Sequence, residues 1–308
     1  MLDAPPTSAV PSGDGVAPDA DVDADANAHA DGVVDAGAGA AADGLGGWLD
    51  PRALAEALAE ALALGGGELA FCIAAVFVAG VVRGFSGFAL SALIMASVAV
   101  IVPPVSLIPV CYVLEGVSSV LMFRGGARAA DWHVVRGLAI GSAIGVPIGL
   151  QATLHLPADA SRLVTLVLIT TLATLQLAGR SPAFLATRAG LYGSGLTAGV
   201  ATGLASVGGM VVALYVLASR ASPVRMRASL VMFLFIGMFT TGTWLLAAGV
   251  LDRLALARGL AFTPVVVLGV LLGTWLFRPS LQGFYRRFCL TLLIGLALAG
   301  LGRLALAR

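Results

Sequence analysis

The sequence predicts an all-α membrane protein: a polytopic helical bundle of roughly 8–10 transmembrane segments, built from two internal repeats that each open with a broken or re-entrant helix. Its 308 residues are 59% hydrophobic and only 11% charged, with a mean hydropathy of +0.98. Soluble domains carry about 25% charged residues. Two of the apolar blocks are also too long for one straight span, and each contains a glycine-rich interruption.

The amino-terminal part differs from the rest in charge. Thirteen of the seventeen acids lie in residues 1–68, whereas residues 69–308 hold seventeen arginines and four acids, a balance of 17 − 4 = +13. Residues 1–47 cannot bury enough apolar surface to fold, so we expect a disordered acidic leader. They lack the basic start and apolar core of a signal peptide. Within residues 48–68, Asp50-Pro51 begins a predicted short amphipathic helix that ends at Gly65. This helix either lies at the membrane surface or leads into the first span.

From Leu69 onward, apolar blocks alternate with short loops that carry arginine. The blocks lie at 69–102, 106–123, 137–156, 162–178, 189–219, 228–250, 259–277 and 287–305. Most have about the length that crosses roughly 30 Å of hydrocarbon. We expect the two long ones, 69–102 and 189–219, to be broken, because glycines and polar side chains are typical of unwound membrane backbone that faces a cavity.

The distribution of arginine depends on the number of crossings, because cytoplasmic loops are rich in Lys and Arg. When each long block is counted as two crossings, the eighteen arginines divide twelve to six between the two sides. With eight crossings they divide nearly evenly. The unequal division favours ten crossings, with both termini outside the cytoplasm.

Glycine positions repeat along the chain. A shift of 119 residues places Gly80 and Gly84 on Gly199 and Gly203, and a shift of 124 places Gly145 and Gly149 on Gly269 and Gly273. The order of interrupted block, proline-marked loop, span and small-residue span is shared by residues 69–180 and residues 181–308. These ranges are the predicted transmembrane repeats 1 and 2. The spacings Gly141-Gly145-Gly149 and Gly269-Gly273 predict close helix packing rather than substrate contact. Five crossings in each repeat would invert the second repeat relative to the first, as in many secondary transporters.

The glycines of the interrupted blocks follow a recognisable pattern. They are Gly80, Gly84 and Gly87 in the first block, and Gly195, Gly199, Gly203 and the pair Gly208-Gly209 in the second. This pattern resembles the sulfite exporter TauE/SafE family over roughly residues 69–305. The resemblance implies a duplicated membrane protein that moves small anions, including sulfite and sulfonates. Phe88-Ala89 stands where the family pattern has a second pair of glycines in the first copy.

Arg83 lies inside the first interruption, where a charged side chain is costly and normally faces a cavity or a partner. A guanidinium binds an oxyanion through two parallel hydrogen bonds, so Arg83 is the leading candidate for substrate binding. The alternative places Arg83 at the membrane interface, where its side chain reaches water.

Glu115 is the only acid within a predicted span. An ionised carboxylate in hydrocarbon is costly unless it is paired. Two roles are open to it. Glu115 is either a proton-coupling group, which exchanges a proton as an arginine approaches and withdraws, or the partner of Arg83 in a permanent ion pair.

The other candidates for substrate binding are hydroxyl groups and glycines of the two interruptions. They are Gly84, Ser86, Gly87, Thr202, Gly203, Ser206, Gly208 and Gly209. Backbone N–H groups freed near such glycines bind anions, although Ser and Thr also bond to carbonyls of their own helix. No catalytic residue, metal ligand or cofactor is predicted.

These observations predict a secondary transporter for a small anion, coupled to protons through Glu115, and not an enzyme. The resemblance implies sulfite, a sulfonate or a related organosulfur anion. A passive anion channel would use the same residues without proton coupling. An intramembrane lipid-phosphate hydrolase would need a cluster of acids, bases or metal ligands. The expected partners are the anion and the lipid bilayer of the inner (plasma) membrane. Nothing indicates a nucleic acid, and the sequence leaves a homo-oligomer open.

Overall fold

The computed structural model of the chain describes residues 66–179, 187–218, 222–278, 280 and 282–306. The predicted acidic leader at 1–47 and the predicted amphipathic helix up to Gly65 lie outside these residues. In the described part of the chain, every secondary-structure element longer than one turn is an α-helix. The predicted all-α class is therefore confirmed.

The helices follow the predicted apolar blocks closely. They are α1 (Gly66–Ser86), α2 (Leu90–Val98), α3 (Pro104–Ala129), α4 (Trp132–His155), α5 (Ala158–Leu177), α6 (Arg188–Ala205), α7 (Gly208–Ala218), α8 (Pro223–Ala247), α9 (Arg253–Ala261), α10 (Thr263–Leu276) and α11 (Gln282–Leu306). The sequence analysis missed α9, whose two arginines are typical of a loop. It forms because the carboxylate of Asp252 accepts a 2.7 Å hydrogen bond from the N–H of Ala255 and so caps the first turn.

Among the described residues, six helices are long and apolar enough to cross a membrane: α1, α3, α4, α5, α8 and α11. Helices α9 and α10 form a further candidate span that bends by 45° at their junction. Pro264 lies in the first turn of α10, where its ring removes one hydrogen bond of a continuous helix. The chain is thus a multi-pass membrane protein, and the count of 8–10 crossings stays a prediction.

Both long blocks are broken in the middle, as predicted. In the first, Gly87 and Ala89 have φ angles of 83° and 74° between the end of α1 and the start of α2. In the second, Ser206 has a φ angle of 55° between α6 and α7. A residue in this left-handed region ends a helix and turns the chain. Each block therefore consists of a longer helix followed by a shorter one.

Glycines bring two pairs of helices into backbone contact. Helix α1 packs on α10, where a Cβ atom added to Gly84 would lie 2.8 Å from the carbonyl carbon of Gly273. Helix α6 packs on α4, where a Cβ added to Gly203 would lie 2.7 Å from the carbonyl carbon of Gly149. Close helix approach at small residues is typical of membrane bundles. The prediction that the glycines of α4 and α10 serve helix packing is confirmed.

Candidate functional site

Arg83 lies in the last turn of α1 and is completely buried, with 0% of its side chain exposed. Its Nε atom lies 3.2 Å from Oε2 of Glu115. One terminal nitrogen donates a 2.9 Å hydrogen bond to Oγ of Ser119, and the other donates to the carbonyl of Gly87. The alternative in which Arg83 reaches water at an interface is wrong, because protein groups surround the guanidinium.

Glu115 lies near the middle of α3, with 17% of its side chain exposed. While Oε2 faces Arg83, Oε1 accepts hydrogen bonds from Oγ of Ser91 at 2.9 Å and from the N–H of Ser91 at 3.3 Å. Ser91 is in the first turn of α2, where the backbone carries partial positive charge. The carboxylate is therefore held between a guanidinium and a helix N-terminus.

A cavity of about 50 Å³, here called the first cavity, opens beside Glu115. Hydroxyl groups from five helices and from the second break line it: Ser91, Tyr112, Ser142, Thr202, Ser206 and Thr241. Phe233, Leu234 and Met238 of α8 complete its wall. A water molecule needs about 10–15 Å³ of such space, so the cavity has room for a few water-sized groups. Glu115 is the only charged residue among those that line it.

Ser142 of α4 is a lining residue that the sequence analysis missed. Its side chain is only 3% exposed, and it has no hydrogen-bond partner within the described ranges. A buried hydroxyl normally has a partner. Ser142 therefore has a free donor and acceptor for a ligand in the first cavity. Its position within Gly141–Gly145 was the available signal, and the sequence analysis attributed that stretch to packing alone.

Of the predicted substrate-binding residues, Thr202 and Ser206 line the first cavity. The hydroxyl of Thr202 also donates a 2.8 Å hydrogen bond to the carbonyl of Ala198 in its own helix. Gly208 packs directly against Thr202 and Ala198. Gly209, the next residue, faces Leu234 and Phe88. The second interruption thus contributes hydroxyl groups to the first cavity, whereas Gly208 and Gly209 are not among the residues that line it.

The remaining predicted residues do not line the first cavity. Oγ of Ser86 donates to the carbonyl oxygens of Val82 and Phe88, each at 2.7 Å, and so satisfies the broken backbone. Gly87 accepts from Arg83. Gly84 and Gly203 lie in the helix contacts described above and are not among the residues that line the first cavity.

Arg227, near the start of α8, is a second cation at the first break. Its Nε donates a 3.2 Å hydrogen bond to the carbonyl of Gly84, and its guanidinium lies 4.6 Å from the ring centre of Phe277. The side chain also packs against Gly87. The predicted block bounds place Arg227 in the loop between 189–219 and 228–250. No local spacing reveals this contact, because its partner lies 143 residues away in the chain.

Within the part of the chain that the structure describes, no group of three or more His, Cys, Asp or Glu side chains could hold a metal ion. The three cysteines are free and buried.

Apolar spans that surround interrupted helices, a buried ion pair and a hydroxyl-lined cavity define a polytopic membrane protein with the features of a secondary transporter. The chain belongs to the sulfite exporter TauE/SafE family, whose profile matches residues 72–300. The resemblance stated above is confirmed. This membership places the protein among membrane transporters of sulfur anions rather than among enzymes. Comparisons with curated proteins and with solved structures gave no match.

Proposed function

We propose that the protein is a proton-coupled secondary transporter of a small oxidised sulfur anion, such as sulfite or a short sulfonate, in the inner membrane. The observation that carries the proposal is the position of Glu115. This one carboxylate contacts Arg83, caps the N-terminus of α2 and faces the first cavity. A proton that enters the cavity can therefore reach the group that neutralises Arg83.

Protonation of Glu115 changes the charge of the site. The neutral carboxyl no longer offsets the positive charge of Arg83, and an unpaired buried guanidinium is costly. An oxyanion in the cavity restores the balance, so proton and anion stabilise each other when both are bound. The other charged or titratable groups around Glu115 are Cys111 and Tyr112 of α3, with Arg227 near Arg83.

Other residues of the first cavity supply the donors that the anion needs. The hydroxyl groups of Ser142, Thr202 and Ser206 line the cavity, and α7 begins at Gly208, two residues after Ser206. Helix N-termini next to glycine bind anions through backbone N–H groups. In the first break, the carboxylate of Glu115 already occupies the corresponding position at the start of α2. The anion takes the equivalent place at the start of α7.

Movement between the two sides requires that the halves of the bundle shift. We infer that residues 69–180 and 181–308 are inverted repeats with re-entrant broken helices. The contacts support this, because the 119 and 124 shifts map the Gly84–Gly273 contact onto the Gly203–Gly149 contact. Rocking of such repeats about a central site is a common transport mechanism.

Liposomes that contain the purified protein and a pH-sensitive dye test the proposal. We expect isotope-labelled sulfite to enter together with protons, in amounts that exceed those of protein-free liposomes, which correct for permeation of the weak acid. Anion entry without proton movement would instead establish the passive channel. If no labelled sulfite enters beyond the amount in protein-free liposomes, both the coupled transporter and the passive channel are contradicted. Turnover of a labelled polyprenyl phosphate would favour the hydrolase.

A further inference from the structure

A second cavity, of about 20 Å³, lies across the first break from the first cavity. Ser86 and Phe88 of the break line it, together with Gln176 of α5 and Tyr285 and Arg286 of α11. The C-terminal end of α5 and the N-terminal ends of α8 and α11 meet at this end of the bundle. It is also the end where the sequence analysis places the larger group of arginines.

Helix α8 connects the two cavities. Met226 and Leu230 line the second cavity, whereas Leu234, Met238 and Thr241 line the first. Spacings of three and four residues place all five side chains on one face of a helix. At 1.5 Å per residue, this stripe is about 22 Å long, which is most of the hydrocarbon thickness of a membrane. One face of α8 therefore follows both cavities in sequence.

Phe88 closes the stripe between the cavities. Its side chain is only 5% exposed and lines the second cavity. A Cβ atom added to Gly209 would lie 3.7 Å from Cβ of Phe88 and 3.6 Å from the methyl carbons of Leu234, a residue of the first cavity. Phe88, Gly209 and Leu234 thus meet at the boundary. Phe88 is also the residue that stands where the family pattern has glycine.

The second cavity has the donors of an oxyanion site. Arg286 is half-buried and has no carboxylate within 4.0 Å in the described residues. Gln176 is 2% exposed, and its amide nitrogen donates to the carbonyl of Met210 at 3.1 Å in the turn that begins α7. An unpaired guanidinium beside a buried amide attracts oxyanions through charge-assisted hydrogen bonds. Helix α7 begins two residues after Ser206, which lines the first cavity.

The geometry points to a second anion-binding station at the arginine-rich end of the transport path, formed around Arg286, with Phe88 as the barrier between the two stations. This inference rests on the proposed transport function. The anion moves between the stations along the α8 stripe when Phe88 is displaced. The second cavity is smaller than the first, and Phe88 forms part of its wall. The anion therefore occupies this station when Phe88 moves aside.

The test compares Arg286→Gln with Arg287→Gln in sided vesicles that contain the full chain. Arg287 is the neighbouring arginine, is exposed, and is not among the residues that line the cavity. We expect Arg286→Gln to raise the KM for labelled sulfite about tenfold from the arginine-rich side, because a charge-assisted hydrogen bond is lost. The KM from the opposite side and the KM of Arg287→Gln stay unchanged. Arg286→Lys retains the charge and recovers part of the affinity.

A second pair of variants tests the barrier. We expect Phe88→Ala to let sulfite move without protons, whereas Phe85→Ala, which removes a ring 4.7 Å from that of Tyr285 in the same cavity, keeps the coupling. An unchanged KM in Arg286→Gln, with sulfite transport intact in the unmodified protein, overturns the second station. Full coupling in Phe88→Ala overturns the barrier. Absence of sulfite transport in the unmodified protein contradicts the proposed function itself, and the station with it.

Discussion

Nε of Arg83 in α1 lies 3.2 Å from Oε2 of Glu115 in α3, inside the bundle. Neither of these two atoms makes an aligned hydrogen bond within the described part of the chain. The guanidinium is anchored by its two terminal nitrogens, and the carboxylate is anchored by Ser91. The two charges are thus fixed by separate partners. Such a pair can lose its mutual attraction without the collapse of either anchor.

We expect Glu115→Gln to abolish proton movement in the liposome assay. The amide keeps the size of the side chain and an acceptor for Ser91 but has no proton to exchange. Its matched control is Asp159→Asn, which removes a carboxylate from an exposed ion pair with Arg162, worth about 0–1 kcal/mol. Sulfite-driven proton flux in Glu115→Gln equal to that of the control would exclude Glu115 as the coupling group.

A double-mutant cycle separates charge balance from packing. Arg83→Gln leaves Glu115 without its cation, and Glu115→Gln leaves Arg83 without its anion, so each should lower the free energy of unfolding by about 3–5 kcal/mol. The double variant buries two neutral amides and should be more stable than either single one. Unfolding in detergent followed by circular dichroism measures all four proteins. Additive losses would show that the two charges do not interact.

Ala89 carries backbone strain that can be tested directly. Its φ angle of 74° lies in the left-handed region, which costs an L-residue about 1–2 kcal/mol. Ala89→Gly removes this strain and loses one buried methyl group worth about 0.8 kcal/mol, so we expect a gain near 0.5 kcal/mol. Ala92→Gly, three residues on and inside α2, should lose about 1 kcal/mol. Opposite signs in thermal unfolding of the two variants would confirm the strain.

Arg227 should be more important for stability than its position near a loop suggests. It donates to the carbonyl of Gly84 and stacks on Phe277, and a lysine cannot make both contacts in the same geometry. We expect Arg227→Lys to lower stability by about 1–3 kcal/mol, because the lysine keeps the charge but loses either the hydrogen bond to the carbonyl of Gly84 or the contact with Phe277. The exposed Arg225, two residues earlier, supplies the control Arg225→Lys, which should change little. Equal melting temperatures for both variants would contradict this role.

The sequence predicts what depends on composition and periodicity. Apolar blocks and glycine spacing indicated the spans, both breaks and the close packing of α4 and α10, because lipid imposes strong rules on residue types. The pairing of Arg83 with Glu115 was one of two alternatives, since few charges lie in the membrane. Ser142 and Arg227 were missed because their roles depend on which helices touch. Residue type alone does not encode such contacts.

Single cysteines in four loops test the inverted arrangement. Arg128→Cys lies at an exposed position in the last turn of α3, and Arg278→Cys lies at an exposed position after α10. Ala158→Cys and Arg253→Cys lie at exposed positions that begin α5 and α9. The native cysteines Cys72, Cys111 and Cys289 are buried and should not react in the folded protein. If both broken blocks return to the side from which they start, positions 128 and 278 react with an impermeant maleimide from the cytoplasm. Positions 158 and 253 then react only from outside.

A straight second block gives a different pattern, because it crosses the membrane once between α5 and α8 instead of returning to its own side. Position 253 would then share a side with position 128, and position 278 would share a side with position 158. The pairing of labels therefore decides between the arrangements without knowledge of the absolute orientation. Labels that pair 128 with 278 also place the start of α7 within the membrane. A glycine-rich helix N-terminus in that position is where an anion from either side can be bound.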